Sequence, residues 1–352
     1  MKVSLGNAQV SCAKAAIHTF HIPSKFDSSM KLQMFRFLLP LMALSMLTFT
    51  ACDESDDDII IDDDVFEKIT ERDDLSMLEA ALERVGLDNN LADENNDFTV
   101  FAPNNTAFNN YIAATPNVNS LDDISDNMLR ALLLNHVIGE DLDAGDLLSA
   151  GTGYKTTLST LTNSSDGLSM YIMVDGNDIR INDAADVVET DINSDNGTVH
   201  IVDAVIPRMN LAMAAMADGN FSILVDAVSV DSLDTDFLGT LTGTSPFTIF
   251  APTNDAFVDL LDSNDDWDSL DDIPAATLDA VLRYHVVQGR VYADQLTAGM
   301  TINTLGGTLT VVDDNGSLAL QDGAGNTVGF IANDVTTTNG VIHAIGMVLM
   351  PM

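Results

Sequence analysis

Downstream of residue 64 the apolar positions fall into patterns that occur twice. Leu75, Leu78, Leu82 and Val85 recur at helical spacing, with Asp74 placed to cap the N-terminus of that helix and Gly86 to close it. Phe221, Leu224 and Val228 repeat the stripe. In FTVFAPNNTAF, at 98–108, the alternation predicts a strand, and Pro103 keeps Ala102 extended. Asn104, or Thr253 in the matching segment, then offers a side-chain oxygen to cap a short helix whose Ala107 and Phe108 turn inward. Further on, 171–182 and 309–320 read as hairpins, Asn315-Gly316 being the stronger turn. Closing strands are expected over 199–206 and 342–350. Helices early and strands late in each half give an α+β order.

The halves repeat one another in sequence as well as in pattern. FTVFAPNNTAF at 98–108 returns as FTIFAPTNDAF at 247–257, and SLDDI at 120–124 returns at 269–273. The same offset carries Leu129 onto Leu278, Leu133 onto Leu282 and His136 onto His285, while NGTVH at 196–200 recurs as NGVIH at 339–343. Blocks recurring in one order over so long a period indicate two copies of a whole domain rather than a solenoid. These blocks resemble those of the fasciclin (FAS1) family, whose domains carry a TVFAPTNxAF block, a central YH block and a closing NGxIH block. The resemblance covers about 65–352, with domains expected at 65–208 and 209–352.

That resemblance implies an α+β domain built around a β-sandwich-like wedge, used for adhesion or ligand binding, with no catalytic activity, cofactor or metal. The positions matching the family blocks are Phe101, Pro103, Phe108, His136 and His200 in the first copy. In the second they are Phe250, Pro252, Phe257, Tyr284, His285 and His343. All are expected to serve the fold. Asn135 stands where Tyr is usual in the YH block, and Gly346 where an Asp is common.

The histidines bear on the enzyme classes. His136 follows Leu129 and Leu133, and His285 follows Leu278 and Leu282, on what reads as one helical stripe, so both rings should face the core. No G-x-S-x-G elbow, H-E-x-x-H pair or Gly-rich phosphate loop is present, and after Cys52 a hydrolase would find no histidine outside the paired positions. Asp262, Asn264 and Asp266 alternate like calcium ligands, but Trp267 stands where an EF-hand loop needs Gly and Ile273 where it needs Glu.

Charge narrows the partners. The chain carries 54 acidic and 14 basic residues, a formal net charge of −40, and only nine of the basic residues follow Cys52. Phosphate backbones are bound through Lys and Arg, so nucleic acid is excluded as a partner. From Met30, charges at Lys31 and Arg36 precede an apolar run over 37–51 that is short for a membrane span and fits a secretory signal at 30–51. Thr50 and Ala51 before Cys52 resemble a bacterial lipoprotein box, which makes Cys52 the lipidation site and the membrane a partner through that anchor. Residues 1–29 read as an upstream mis-start or an extended n-region, and 52–64 as an acidic tether. With Cys12 and Cys52 the only cysteines, a chain cleaved before Cys52 has no disulfide available.

These readings lead to a lipid-anchored, non-enzymatic binding protein of a bacterial outer membrane, recognising an extracellular protein or glycan. Two alternatives stay open, namely an envelope or periplasmic module without an external ligand and a polysaccharide-binding accessory protein.

Overall fold

The computed structural model describes residues 63–162 and 164–352; the signal segment, Cys52 and almost all of the tether lie outside them. Each half is organised around a seven-stranded sheet. In the first, β1 (Phe98–Pro103), β2 (Val137–Ile138), β3 (Gly153–Thr160), β4 (Gly167–Asp175), β5 (Asp178–Ile181), β6 (Ala185–Ser194) and β7 (Gly197–Val202) form a closed barrel in that order. The second half contributes β8 (Phe247–Pro252), β9 (Val286–Gln288), β10 (Thr301–Asn303), β11 (Thr308–Asp314), β12 (Ser317–Gln321), β13 (Thr327–Thr337) and β14 (Gly340–Ile345). Its order, β10-β11-β12-β13-β14-β8-β9, is the same ring, and a single bridge between Val287 and Thr304 draws its two ends together. The wedge expected from the resemblance is thus a barrel in one copy and a nearly closed one in the other, within an α+β fold.

One pairing in each ring is parallel. β1 runs beside β7 with Phe101 opposite His200, and β8 beside β14 with Phe250 opposite His343. A parallel pair needs a long crossover, and the other five strands of each copy lie between them in sequence. All residues of β1 and β7 are buried because each strand has two apolar surroundings. Phe98, Val100 and Ala102 face the helices with Leu78, Leu82, Phe108, Leu129 and Leu133, whereas Phe101 faces the barrel interior with Ile138, Met170 and Ile181.

The strand-to-helix corner forms as expected, with helix Asn105–Ala114 following β1 and Asn104 Oδ1 accepting from Ala107 N at 2.9 Å. Thr253 departs from that expectation: it sits at the N-cap of helix Asn254–Asp262 with an extended backbone, yet its hydroxyl makes no cap bond. Asp74 departs too. Helix Ser76–Val85 begins after Leu75, and the Asp74 carboxylate pairs with Arg72 instead. Gly86 does close that helix in the left-handed conformation. Asn315 and Gly316 both take positive φ, as the twist of a tight hairpin requires. The closing strands are shorter than their apolar pattern suggests, stopping at Val202 and Ile345 because the next residues turn to meet a histidine from the helical layer.

Candidate functional site

His136 and His285 each sit just past a helix, Asp126–Leu134 and Ala275–Tyr284 respectively, rather than within it as the stripe suggested. Both are nearly fully buried. His136 Nδ1 donates to Leu132 O at 2.8 Å, and its Nε2 accepts from Ile206 N at 2.8 Å. His285 does the same with Val281 O at 2.7 Å and Leu349 N at 2.8 Å. Each neutral ring therefore ties the helical layer to the segment leaving the last strand. Burial pushes both down to about 4, only partly offset by the carbonyl that each ring nitrogen meets.

His200 and His343 occupy the other paired site. Each is buried and stacked on the phenylalanine opposite, with ring centroids 5.6 Å apart. His200 Nε2 donates to Leu142 O at 2.9 Å, and His343 Nε2 to Val291 O at 2.8 Å. Their Nδ1 atoms face the backbone N–H groups of Asp191 and Asp334 at 3.4 and 3.3 Å. Those aspartates hold left-handed φ at matching bulges in β6 and β13, and each carboxylate accepts from a backbone N–H across the barrel, that of Ala144 or Ala293. Burial lowers the pKa of both histidines. All four rings spend both nitrogens inside the fold, so none is presented to a substrate.

The remaining motif positions are also internal. Phe101, Phe108, Phe250 and Phe257 are fully buried, Pro103 and Pro252 are buried, and Tyr284 donates its hydroxyl to Thr308 O at 2.6 Å. Asn135, in place of the usual Tyr, is buried and donates to Ile206 O and Pro207 O at 3.3 and 3.2 Å.

Two sets of residues carry more of the architecture than their sequence context suggested. Asn196 accepts from Val65 N and donates to Leu91 O, while Asn339 accepts from Leu211 N and donates to Leu241 O and Gly243 O. Each fastens the entry helix of its domain to the start of the last strand. Asn105 caps a helix other than its own, accepting from Met77 N at 2.9 Å, as Asn254 does from Ile223 N at 3.0 Å. Their recurrence was the available signal, since Asn105 maps onto Asn254 at the repeat offset and Asn196 and Asn339 open the matching NGTVH and NGVIH blocks.

The two domains meet through a buried polar contact. The hydroxyls of Tyr154 and Tyr171 donate to the two carboxylate oxygens of Asp218 at 3.1 and 3.2 Å, and Asp218 is only 5% exposed. Burial, with the carboxylate beside them, pushes both phenols well above the ordinary tyrosine range. Tyr171 packs into the apolar core of the second domain with Phe221 and Val335, and Thr336 N donates to Ser169 Oγ at 2.9 Å. Between the domains Pro207 O takes donors from Asn135 and Asn182 of the first, whereas Met209 O takes Thr338 N of the second at 2.9 Å. Beside the tyrosines lies a cleft of about 450 Å³ that also includes Asn220, Thr253, Asp255 and Ile331.

The Fasciclin domain model matches residues 73–208 and again 219–351. The chain belongs to the fasciclin (FAS1) family. Similar proteins include transforming growth factor-beta-induced protein ig-h3 of Sus scrofa, 29% identical over 267 residues covering 72% of this chain and 35% of that protein. Protein sll1483 of Synechocystis is 32% identical over 155 residues, 41% of this chain and 74% of its own length. Cell surface glycolipoprotein MPB83 of Mycobacterium bovis is 31% identical over 153 residues, 40% of this chain and 60% of that one. The chain thus spans about a third of the pig relative's length and about three quarters of the cyanobacterial one's. The solved FAS1 domain pair from the insect cell adhesion molecule fasciclin I aligns with 81% of this chain and 95% of its own, at 18% identity and a TM-score of 0.46. The two matches fall on the two halves described above, which are therefore a tandem of FAS1 domains.

Proposed function

We propose that this FAS1 pair is a non-enzymatic binding protein, held at a bacterial outer membrane by a lipid on Cys52 and recognising an extracellular partner through its outer surface. The observation that carries the reading is the fate of the motif histidines. In both domains every one of them has both ring nitrogens committed to backbone groups of its own domain, so these motif residues serve the scaffold and recognition falls to the surface around it. The lipid anchor is supported by the charged, apolar and small-residue order over 30–52, and by a similar protein of Mycobacterium bovis named as a cell surface glycolipoprotein.

The test has two readouts on the same cells. Intact-mass analysis of the mature protein should show a lipid-modified chain starting at Cys52, and Cys52→Ser should leave an unacylated precursor. Protease added to whole cells should then degrade the wild-type domains. A mature chain that starts elsewhere without lipid would remove the anchor, and full protection from protease would favour an internal envelope module.

A further inference from the structure

We infer that the cleft between the two domains receives an arginine or lysine side chain presented by a basic segment of the protein partner. This rests on the surface-binding reading and names the chemistry of the partner. The first observation is the state of the cations. Of the nine basic residues after Cys52, Lys68, Arg72, Arg84, Lys155 and Arg180 are paired with carboxylates. The other four, Arg130, Arg208, Arg283 and Arg290, donate to backbone carbonyls. Each positive side chain of the domains thus meets at least one carboxylate or carbonyl of the fold, while the acidic residues far outnumber them. A surface of this kind attracts cations and repels phosphate, sulfate and uronate groups.

The second observation is the cleft itself. It has the volume of a small-ligand site, lies at a domain junction where such sites concentrate, and includes no lysine or arginine. Tyr154, half-buried, turns its ring to the cleft, backed at 5.0 Å by the buried ring of Tyr171, and Ile331, 61% exposed, adds an apolar wall. The Asp255 carboxylate is exposed on the first turn of its helix, and the Thr253 hydroxyl is left over because it makes no cap bond where Asn104 of the first domain does. The groups that the fold leaves unused are therefore mainly acceptors, beside the half-buried ring of Tyr154. Guanidinium and ammonium groups are all donors, and they are attracted to aromatic faces as well.

The cleft is tested with the purified mature chain and a fluorescein-labelled peptide amide of sequence Gly-Arg-Gly-Arg-Gly, by fluorescence anisotropy at physiological salt, where diffuse attraction is screened. An otherwise identical peptide carrying neutral citrulline, which keeps the shape of arginine, should bind at least tenfold more weakly. Asp255→Asn and Ile331→Ser should each weaken the arginine peptide by about fivefold, which is ~1 kcal/mol. Asp294→Asn, an exposed acid outside the cleft, should leave it unchanged. Unchanged melting temperatures show that the variants are folded. Equal binding of the citrulline peptide, equal weakening by Asp255→Asn and Asp294→Asn, or absence of binding at millimolar peptide would each overturn the assignment. Displacement of the bound peptide by cellotriose would overturn it in favour of a neutral glycan. Attachment of whole cells to a protein-coated surface that survives Asp255→Asn would leave the surface-binding reading standing without the cleft.

Discussion

Acid should unfold this protein through its buried histidines before its carboxylates titrate. His136 and His285 are held neutral, with pKa near 4 in the folded chain against an ordinary value of 6.5. Between those values the unfolded state binds more protons, so the stability contributed by each ring is complete above pH 6.5 and is lost as pH falls toward 4. At pH 5 the loss is about 2 kcal/mol per ring, or about 4 kcal/mol for both, a large share of a typical folding free energy. His200 and His343 shift in the same direction and add to it. The lowered carboxylates, Asp74, Asp93, Asp123 and Asp272, contribute only further down, since their stabilisation is lost as pH falls below the usual carboxylate range. The assay is urea unfolding of the wild type and of a His136→Gln/His285→Gln variant at pH 7.5, 6.5, 5.5 and 5.0. The wild-type midpoint should drop steeply over this range, and the variant, less stable at pH 7.5, should change far less. A wild-type midpoint that is flat between pH 7.5 and 5.0, or a variant that falls in parallel with it, would refute the reasoning.

Asn339→Ala should cost about 3 kcal/mol in urea unfolding, because it strands the N–H of Leu211 and the carbonyls of Leu241 and Gly243 in the interior; a loss below 1 kcal/mol would mean that water replaces the amide. Gly197→Ala and Gly340→Ala should each lower the melting temperature by several degrees, since a Cβ there runs into the carbonyl oxygens of Phe98 and Phe247 respectively, and Gly197 also holds a positive φ. Normal melting of both variants would show that the parallel strands can spread. Segments 65–208 and 209–352 should each unfold cooperatively when made separately, but with lower midpoints than the joined pair, because separation exposes Tyr171 and removes the partners of Asp218; Asp218→Ala in the full chain should move its unfolding toward theirs. If neither segment melts cooperatively, the division at 208 is wrong.

The repeat made much of this fold legible. Blocks as distinctive as FTVFAPNNTAF and its counterpart FTIFAPTNDAF located β1, β8 and the helices after them, and the Asn315-Gly316 turn was local chemistry that needs no tertiary context. The family itself was readable from the same blocks. What stayed out of view is long-range. Asp74 looks like a cap in its local sequence, yet Asn105, far along the chain, supplies the oxygen at that helix start. The strands after Gly197 and Gly340 look longer by hydrophobicity than they are, because Ile206 and Leu349 are apolar for a different reason, lying buried or nearly so beside the histidines that accept from their N–H groups. Charge pattern alone gave no sign that Asp218 would be shielded between domains while Asp255 would remain in the open.

The position of the entry helices sets how the molecule bears load. Chain enters the first domain at Val65, fastened to Asn196 at the beginning of β7, and leaves just beyond the far end of that same strand at Pro207. It enters the second at Leu211, fastened to Asn339 at the beginning of β14, and the last residues follow that strand's far end. Under the proposed anchor and partner, tension would run lengthwise down β7 and β14, and the hydrogen bonds to β1 and β6, or to β8 and β13, would be loaded in shear. They must yield together rather than open one by one like a zip, a geometry suited to a link that is pulled.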